Sequence, residues 1–207
     1  PDVPAALAAH ARRMRQRIYQ AGERVYCAVG YALANVIIVR CEQALVVLDT
    51  TESHTSAMQI LQDFRAAVPE VADWPVAALV YTHNHSDHIN GARAFVNEED
   101  VQAGRTQIIA HRTLMRAISD NASVVAPILA TRSVYSFGAL LPPGPKGSVS
   151  AGIGPKIINS QVSFLPPTLT FDEQLDITLA GVRFEFHHAP SETDDEIVVW
   201  LPDEQTL

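Results

Sequence analysis

The sequence THNHSDH occupies residues 82–88 and follows directly on the apolar segment VAALVY at residues 76–81. The apolar segment predicts a buried β-strand that ends where the histidines begin. Because alternate residues of an extended chain share a face, His83 and His85 are expected to point the same way and to bind one metal ion. Neutral imidazole suits zinc, and a carboxylate adds an oxygen ligand and offsets the charge of the cation. The run therefore predicts a metal site at the end of a strand.

Asp87 and His88 come after the turn and cannot easily point the same way as the first two histidines. They are better placed to serve a second ion close by, so two metals are the leading geometry. The alternative is a polar loop whose histidines are solvated or cap the helix that Gly91 would begin. The chain has eight histidines, and the filling of all four motif positions together favours the metal site.

This motif, with the strand before it and the glycine after it, resembles the metallo-β-lactamase superfamily of binuclear hydrolases. Later segments resemble one branch, the alkylsulfatases that hydrolyse sulfate esters such as dodecyl sulfate. The similar segments, in chain order, are GYALAN at 30–35, GALLPPGPKGSVSAGIG at 138–154, PPTLT at 166–170 and SETDDEIVVWLP at 191–202. The resemblance implies an α/β fold, an αββα sandwich with the metals at the edge between two sheets. It also implies that residues 1–207 are one catalytic domain, incomplete at its C-terminal end, and the N-terminal part of a longer enzyme.

The resemblance also extends the set of site residues. Alkylsulfatases have a glutamate in the second ligand turn, where other enzymes of the superfamily have a histidine, so Glu192 is expected to bridge two zinc ions, with Glu196 as a second acid of that turn. The rival ligand is His188, and the alternative for residues 191–196 is an exposed acidic turn. Asp49 matches an aspartate of the superfamily and is expected to orient a ligand or the metal loop. Its alternative is a turn residue that ends a strand.

Substrate contacts in alkylsulfatases come from the helix that precedes the Gly/Pro-rich loop at residues 138–167. The pattern there is an Asn, two adjacent Arg, then Tyr, any residue, Tyr and Gly. Arg132 and Tyr135 match this pattern, and an arginine fork with a hydroxyl suits a tetrahedral sulfate group. The alternative for Arg132 is a surface ion pair. Three positions depart from the pattern: Pro127, Thr131 and Phe137. The loop is expected to border the mouth of the active site.

Composition agrees with a soluble globular enzyme. The chain has 207 residues, of which 47% are hydrophobic and 18% charged, so it can bury a substantial core. A formal net charge of −8 argues against a nucleic-acid partner, and no apolar run approaches the length of a transmembrane span. Cys27 and Cys41 are expected to be buried thiols rather than a disulfide. The compartment, cytoplasm or periplasm, stays open.

Periodicity and turn residues predict a coarse order of elements. A first helix is expected over 1–22, and Ser53 or Thr55 is expected to cap a later one, whose inner side carries Met58. His111 ends a strand and is interpreted as structural. The predicted elements are a helix at 1–22, strands at 24–28, 34–40 and 44–48, a helix at 53–68, a helix from the metal motif to about 97, a strand at 107–110, a helical stretch at 112–129 interrupted at Pro127, and a strand at 182–187.

These observations predict a zinc-dependent hydrolase that cleaves alkyl sulfate esters through a metal-activated hydroxide. Two zinc ions would be held by five ligands, His83, His85, Asp87, His88 and Glu192. A homodimer is expected through segments outside this chain. One alternative is another hydrolase of the same fold, acting on a lactone, thioester or β-lactam, which Thr131 and Pro127 favour and Glu192 disfavours. The other is a truncated, non-catalytic member.

Overall fold

A computed structural model describes residues 2–123, 125–155 and 161–207. Within these ranges the chain forms two β-sheets and a layer of helices. The strands are β1 (Arg17–Gln20), β2 (Val25–Val29), β3 (Val36–Arg40), β4 (Leu45–Leu48), β5 (Val76–Val80), β6 (Gln107–His111), β7 (Leu169–Phe171), β8 (Gln174–Leu179), β9 (Val182–His188) and β10 (Ile197–Trp200). The helices are α1 (Ala5–Arg13), α2 (His54–Ala67), α3 (Ser86–Ile89), α4 (Glu98–Gln102), α5 (Leu114–Ala122) and α6 (Ala126–Ser136). Short 3-10 helices occupy Pro69–Val71 and Ala92–Ala94.

The larger sheet has seven strands that lie side by side in chain order, from β1 to β7. Its first four strands are antiparallel, and β4 to β7 are parallel. Parallel strands of an α/β sheet are covered on both faces and therefore read as continuous apolar runs. All four residues of β4 are buried accordingly. The smaller sheet has the antiparallel order β10-β9-β8.

Two apolar cores lie on opposite faces of the seven-stranded sheet. One core packs α2, through Ile60 and Phe64, against inward-facing strand residues such as Val47. The other packs Phe184 and Phe186 of β9 against the opposite face of the large sheet. The outer face of the small sheet carries exposed polar residues, namely Asp176, Thr178 and Arg183. The layers therefore follow the order helix, sheet, sheet of an αββα sandwich, as the sequence predicts.

The three predicted strands of the first meander are confirmed as β2, β3 and β4, and the helix after them as α2. Ser53 caps α2, since its side chain accepts a hydrogen bond from the backbone N–H of Ser56. The position of Met58 was predicted wrongly, because that side chain is exposed. Both cysteines are free thiols. Cys41 is buried, which raises the pKa of its thiol to about 12, and burial also raises the pKa of the partly buried Cys27.

The helix predicted over residues 1–22 is wrong; residue 1 lies outside the described residues. The helix covers only Ala5–Arg13, and Arg17–Gln20 forms β1. Ile18 pairs with Ala28, so this segment extends the sheet by one antiparallel strand. Ile18 is β-branched and Tyr19 is aromatic, and both residue types favour a strand. As a strand, this segment also forms backbone hydrogen bonds with the edge of β2.

The helix predicted from the metal motif to about residue 97 is broken. The chain forms the four-residue α3, then a 3-10 helix, and begins α4 at Glu98. At Gly91 the segment after β4 comes so close that a Cβ atom would lie 2.0 Å from the carbonyl oxygen of Thr50. This close approach requires glycine at that point.

The helical stretch predicted at 112–129 forms two helices, α5 and α6, with residue 124 outside the described residues. Pro127 stands in the first turn of α6 and so begins this helix rather than interrupting α5, as proline readily does. The Gly/Pro-rich loop contains no helix or regular strand in its described residues, 138–155 and 161–167; residues 156–160 of it lie outside them. Among the described residues, no helix is long and apolar enough to cross a membrane.

Candidate metal centre

The carboxyl ends of three parallel strands meet at one edge of the large sheet. Asp49 follows β4, the loop 82–88 follows β5, and His111 ends β6. We name residues 82–88 the metal loop. The small sheet reaches the same edge, because the backbone N–H of Ile197 donates to the carbonyl oxygen of Thr82 over 3.0 Å. The turn between β9 and β10, residues 189–196, is thereby held beside the metal loop.

Three predicted ligands converge at this edge. His83, His85 and Glu192 each offer one ligand atom, and these atoms lie within 4.8 Å of one another. The rings of His83 and His85 have centroids 4.7 Å apart, and Nδ1 of His85 lies 3.1 Å from Oε1 of Glu192. Among residues 2–123, 125–155 and 161–207, these three side chains form the group of His, Cys, Asp or Glu residues that could hold a metal ion. Two imidazoles and a carboxylate are the donor set of several catalytic zinc sites.

His83 is oriented by a neighbour that was not predicted from the sequence, Thr82. The hydroxyl of Thr82 donates to Oδ2 of Asp49 over 2.9 Å, so it can only accept from Nδ1 of His83, which lies 3.0 Å away. This fixes the proton on Nδ1 and leaves the lone pair on Nε2. The Nε2 atom is buried and has no hydrogen-bond partner in the part of the chain that the structure describes, and His83 is only 2% exposed. A buried polar atom without a partner is costly, so the site fits a group that would accept this lone pair.

His88 has the same arrangement on the other side of Asp49. Its Nδ1 lies 2.6 Å from Oδ2 of Asp49, so the ring donates from Nδ1 and presents Nε2, as metal-ligating histidines commonly do. Oδ2 of Asp87 lies 3.7 Å from that Nε2. The rings of His83 and His88 have centroids 4.1 Å apart. Asp87 and His88 therefore lie next to the converging group, although no third ligand joins them in the described part of the chain.

Asp49 holds the metal loop in place through hydrogen bonds to Thr82 and His88. Besides the two contacts just described, its Oδ1 accepts from the backbone N–H of Thr82 over 2.8 Å. Asp49 and Thr51 have positive φ angles, 61° and 67°, which for a β-branched residue such as Thr51 is a strained conformation. Backbone hydrogen bonds keep the turn in place, from Thr50 to the carbonyl of His88 and from Asn90 to that of Thr51.

The pKa values of the buried His83 and the partly buried His88 shift in opposite directions. Burial, followed by the neighbouring His88, lowers the pKa of His83, which favours the neutral ligand form of the ring. Burial acts in the same direction on His88, but the hydrogen bond and charge of Asp49, with Asp87 and Glu192, outweigh it and raise the pKa of that ring. The acidic side chains around His88 thus give this part of the site an affinity for positive charge.

Glu196 braces the turn that carries Glu192. Its carboxylate accepts from the backbone N–H of Glu192 over 2.7 Å, and the backbone N–H of Ala189 donates to its carbonyl, closing the turn. Burial acts to raise the pKa of Glu196, but hydrogen bonds from Ser191 and the turn backbone prevail and lower it. The carboxylate is therefore occupied in shaping the turn. Glu192 itself is exposed at its side chain.

His188, the rival ligand, is engaged elsewhere. Its Nε2 donates to the carbonyl oxygen of Asp194 over 2.7 Å. Its ring stacks on His111, with centroids 3.9 Å apart and planes at 7°. His111 is buried and its Nδ1 lies 2.7 Å from the hydroxyl of Thr113. Neither ring belongs to the converging group of described residues, so Glu192 is the better supported assignment.

Arg132 and Tyr135 lie on α6, away from this network. Both are exposed, Tyr135 to 79%, and α6 has no buried residue. None of the hydrogen bonds or ion pairs of the metal loop involves either side chain, within the residues that the structure describes. The assignment of both to sulfate binding stays a prediction.

Comparison with known proteins agrees with this geometry. A sequence model of the metallo-beta-lactamase superfamily matches residues 30–207. The chain is 42% identical over 170 residues to a linear primary-alkylsulfatase of Pseudomonas sp. (strain ATCC 19151), a match that covers 82% of this chain and 31% of that protein. It is 32% identical over 192 residues to an alkyl/aryl-sulfatase of Saccharomyces cerevisiae, covering 92% of this chain and 29% of that one.

A solved structure shows the same similarity in three dimensions. The stereoselective inverting sec-alkylsulfatase from Pseudomonas sp. superposes with a TM-score of 0.86 at 25% identity, over 97% of this chain and 32% of that one. The chain therefore spans about a third of the length of these relatives. Since the family match covers most of the sequence and includes the metal loop and the glutamate turn, the chain belongs to the metallo-beta-lactamase superfamily.

Proposed function

We propose that this chain carries the metal centre of a hydrolase that cleaves alkyl sulfate esters. The observation that carries the proposal is that ligand atoms of His83, His85 and Glu192 lie within 4.8 Å of one another. In addition, Nε2 of His83 is buried and has no hydrogen-bond partner among the described residues. Similarity to named alkylsulfatases supports the substrate class. Glu192 supports the same class through the resemblance given above, in which alkylsulfatases have a glutamate where other enzymes of the superfamily commonly have a histidine.

Zinc is the metal we propose, with two ions at full occupancy. His83, His85 and Glu192 would hold one ion, and Asp87 and His88 would contribute to the second. Imidazole nitrogen and carboxylate oxygen suit zinc. When bound, the metal supplies positive charge for the sulfate group and lowers the pKa of water towards neutrality.

The residues of the chain have separate tasks in this proposal. Asp49 and Thr82 fix the Nδ1 protons of His88 and His83, so that both Nε2 atoms face the site as lone pairs. Orienting ligands in advance reduces the reorganisation that binding and reaction would require. Arg132 and Tyr135 would contact the sulfate oxygens, a role that a guanidinium fork and a phenol hydroxyl suit chemically. Hydrolysis consumes one water and releases an alcohol, sulfate and a proton.

Substrate assays test the proposal. Protein expressed from the complete gene, purified and loaded with zinc, is incubated with dodecyl sulfate and, separately, with an acyl-lactone, and the release of sulfate and of acid is measured. Release of sulfate that disappears in the His83→Ala variant supports the alkylsulfatase. Lactone opening without sulfate release would instead assign another hydrolase of the same superfamily. Absence of both activities in protein that binds zinc would contradict the proposed function.

A further inference from the structure

Asn84 lies between the two ligand histidines, but its side chain is bonded to other parts of the protein. Its Nδ2 donates to Oδ1 of Asp195 in a short hydrogen bond. Its Oδ1 accepts from Nδ2 of Asn121, at the end of α5, over 2.7 Å. Neither Asp195 nor Asn121 belongs to the converging metal group of described residues. The loop thus directs His83 and His85 to the site and Asn84 to a separate anchor.

Asp195 is buried where an acidic turn is otherwise exposed. It is 1% exposed, whereas Glu192 and Asp194 in the same turn are exposed. A buried carboxylate is retained only where a partner compensates its loss of water. Here that partner is Asn84, while the other oxygen of Asp195 has no hydrogen-bond partner among the described residues. Among the described residues, the Asp195 carboxylate therefore depends on this one hydrogen bond.

The contact joins the two segments that supply the ligands. Asn84 belongs to the metal loop, and Asp195 lies three residues after Glu192 in the turn 189–196. The base of this turn is also attached by the backbone hydrogen bond from Ile197 to Thr82. The Asn84–Asp195 pair adds a side-chain link that is closer along the chain to the exposed Glu192 than the Ile197 hydrogen bond is.

We propose that Asn84 and Asp195 are positioning residues that set the separation between Glu192 and the two histidines. This inference rests on the proposed function, because it assigns the pair to the same metal centre. Loss of the contact would leave the hydrogen bond from Ile197 to Thr82 intact. It would allow the part of the turn that carries Glu192 to move relative to the two histidines. Partners of this outer kind typically contribute about 10- to 100-fold to metal affinity.

Three variants isolate the hydrogen bond from the charge. Asp195→Ala removes both the acceptor and the charge. Asp195→Asn removes the charge but keeps an acceptor for Asn84. Asp194→Ala removes a charge from the same turn, and the carbonyl oxygen that His188 uses remains. The dissociation constant for Zn²⁺ is measured by competition with a chromophoric chelator, and urea unfolding of the metal-free proteins is measured in parallel.

We expect Asp195→Ala to weaken zinc binding by about tenfold or more, and the other two variants to change it by less than about threefold. Asn84→Ala removes the same contact from the opposite side without a change of charge, and should reproduce the loss. Equal zinc affinity in Asp195→Ala and Asp194→Ala would overturn the inference, even if Asp195→Ala unfolds more easily. Failure of both Asp195→Ala and Asn84→Ala to fold would also overturn it, by making the pair a requirement of the fold. No zinc binding by the unmodified protein would instead contradict the proposed function.

Discussion

The metal loop and helix α6 carry the two halves of the proposed site, and the protein holds them very differently. In the metal loop, Thr82 is hydrogen-bonded to Asp49 after β4, and Asn84 is hydrogen-bonded to Asp195 in the turn 189–196 and to Asn121 of α5. On α6, Arg132 and Tyr135 are exposed, and the helix buries no residue. Hydrogen bonds therefore hold the metal-binding half in place, whereas the two substrate-binding candidates are exposed on a helix that buries no residue. Perturbing the first should have larger effects than perturbing the second.

Replacing a ligand should have the largest effect. His83→Ala removes a buried imidazole whose Nε2 faces the site, so we expect zinc affinity to fall by more than the roughly 10- to 100-fold that loss of an outer partner costs. Zinc affinity and sulfate release are measured together. His187→Ala, on the neighbouring strand β9, is the control. Unchanged zinc affinity in His83→Ala would remove His83 from the ligand set.

Loss of the Asp49 carboxylate should have the next largest effect. Asp49→Asn replaces an oxygen that accepts from Thr82 and His88 with an amide that cannot accept from both sides. We expect zinc affinity to fall by about 10- to 100-fold, since both histidines lose their common orienting group. Asp73→Asn, in the exposed turn before β5, should leave the affinity unchanged. Equal affinities of the two variants would reduce Asp49 to a strand-ending turn residue.

A side chain added at Gly91, where this residue packs against Thr50, should reduce the stability of the fold. In Gly91→Ala the new Cβ would lie 2.0 Å from the carbonyl oxygen of Thr50, so backbone must move. We expect the free energy of unfolding to fall by about 1–3 kcal/mol, the usual cost of overpacking. Urea denaturation measures it. Gly22→Ala meets its nearest atoms at 3.7 Å or more and should be nearly neutral, and a similar value for both variants would show that the loop yields easily.

On α6 the effect should be smaller and confined to substrate. Arg132→Ala should raise the KM for dodecyl sulfate by about tenfold, in line with a hydrogen bond to a charged group. Zinc affinity and the free energy of unfolding should stay the same, the latter within about 0.5 kcal/mol, as for other surface substitutions. Arg116→Ala on α5 is the exposed control. An unchanged KM would return Arg132 to an ordinary surface residue.

Local patterns in the sequence predict some regions of the molecule and not others. The metal loop could be predicted because a buried strand, an alternating pair of histidines and a tight turn are local patterns. The strands β2, β3 and β4 and helix α2 could be predicted for the same reason, from periodicity and an N-terminal cap. Glu192 could be reached only through resemblance to a family, because nothing in the local sequence distinguishes it from an exposed acid.

Contacts between distant segments could not be predicted. Asp195 and Glu192 stand in one acidic stretch, yet only Asp195 is buried, because its partner Asn84 is 111 residues away in the chain. Strand β1 replaced the end of a predicted helix because the sheet offered it an edge. Gly91 packs closely against Thr50, a contact that the local sequence does not reveal. In each case tertiary packing overrides a local preference.

Diffraction from zinc-soaked crystals, with anomalous data collected at the zinc edge, would locate the metal ions. We expect an anomalous peak within bonding distance of Nε2 of His83, the imidazole of His85 and the carboxylate of Glu192, and a second peak beside Asp87 and His88. Absence of a peak at this edge of the sheet, with the three side chains pointing apart at saturating zinc, would contradict the proposed metal centre.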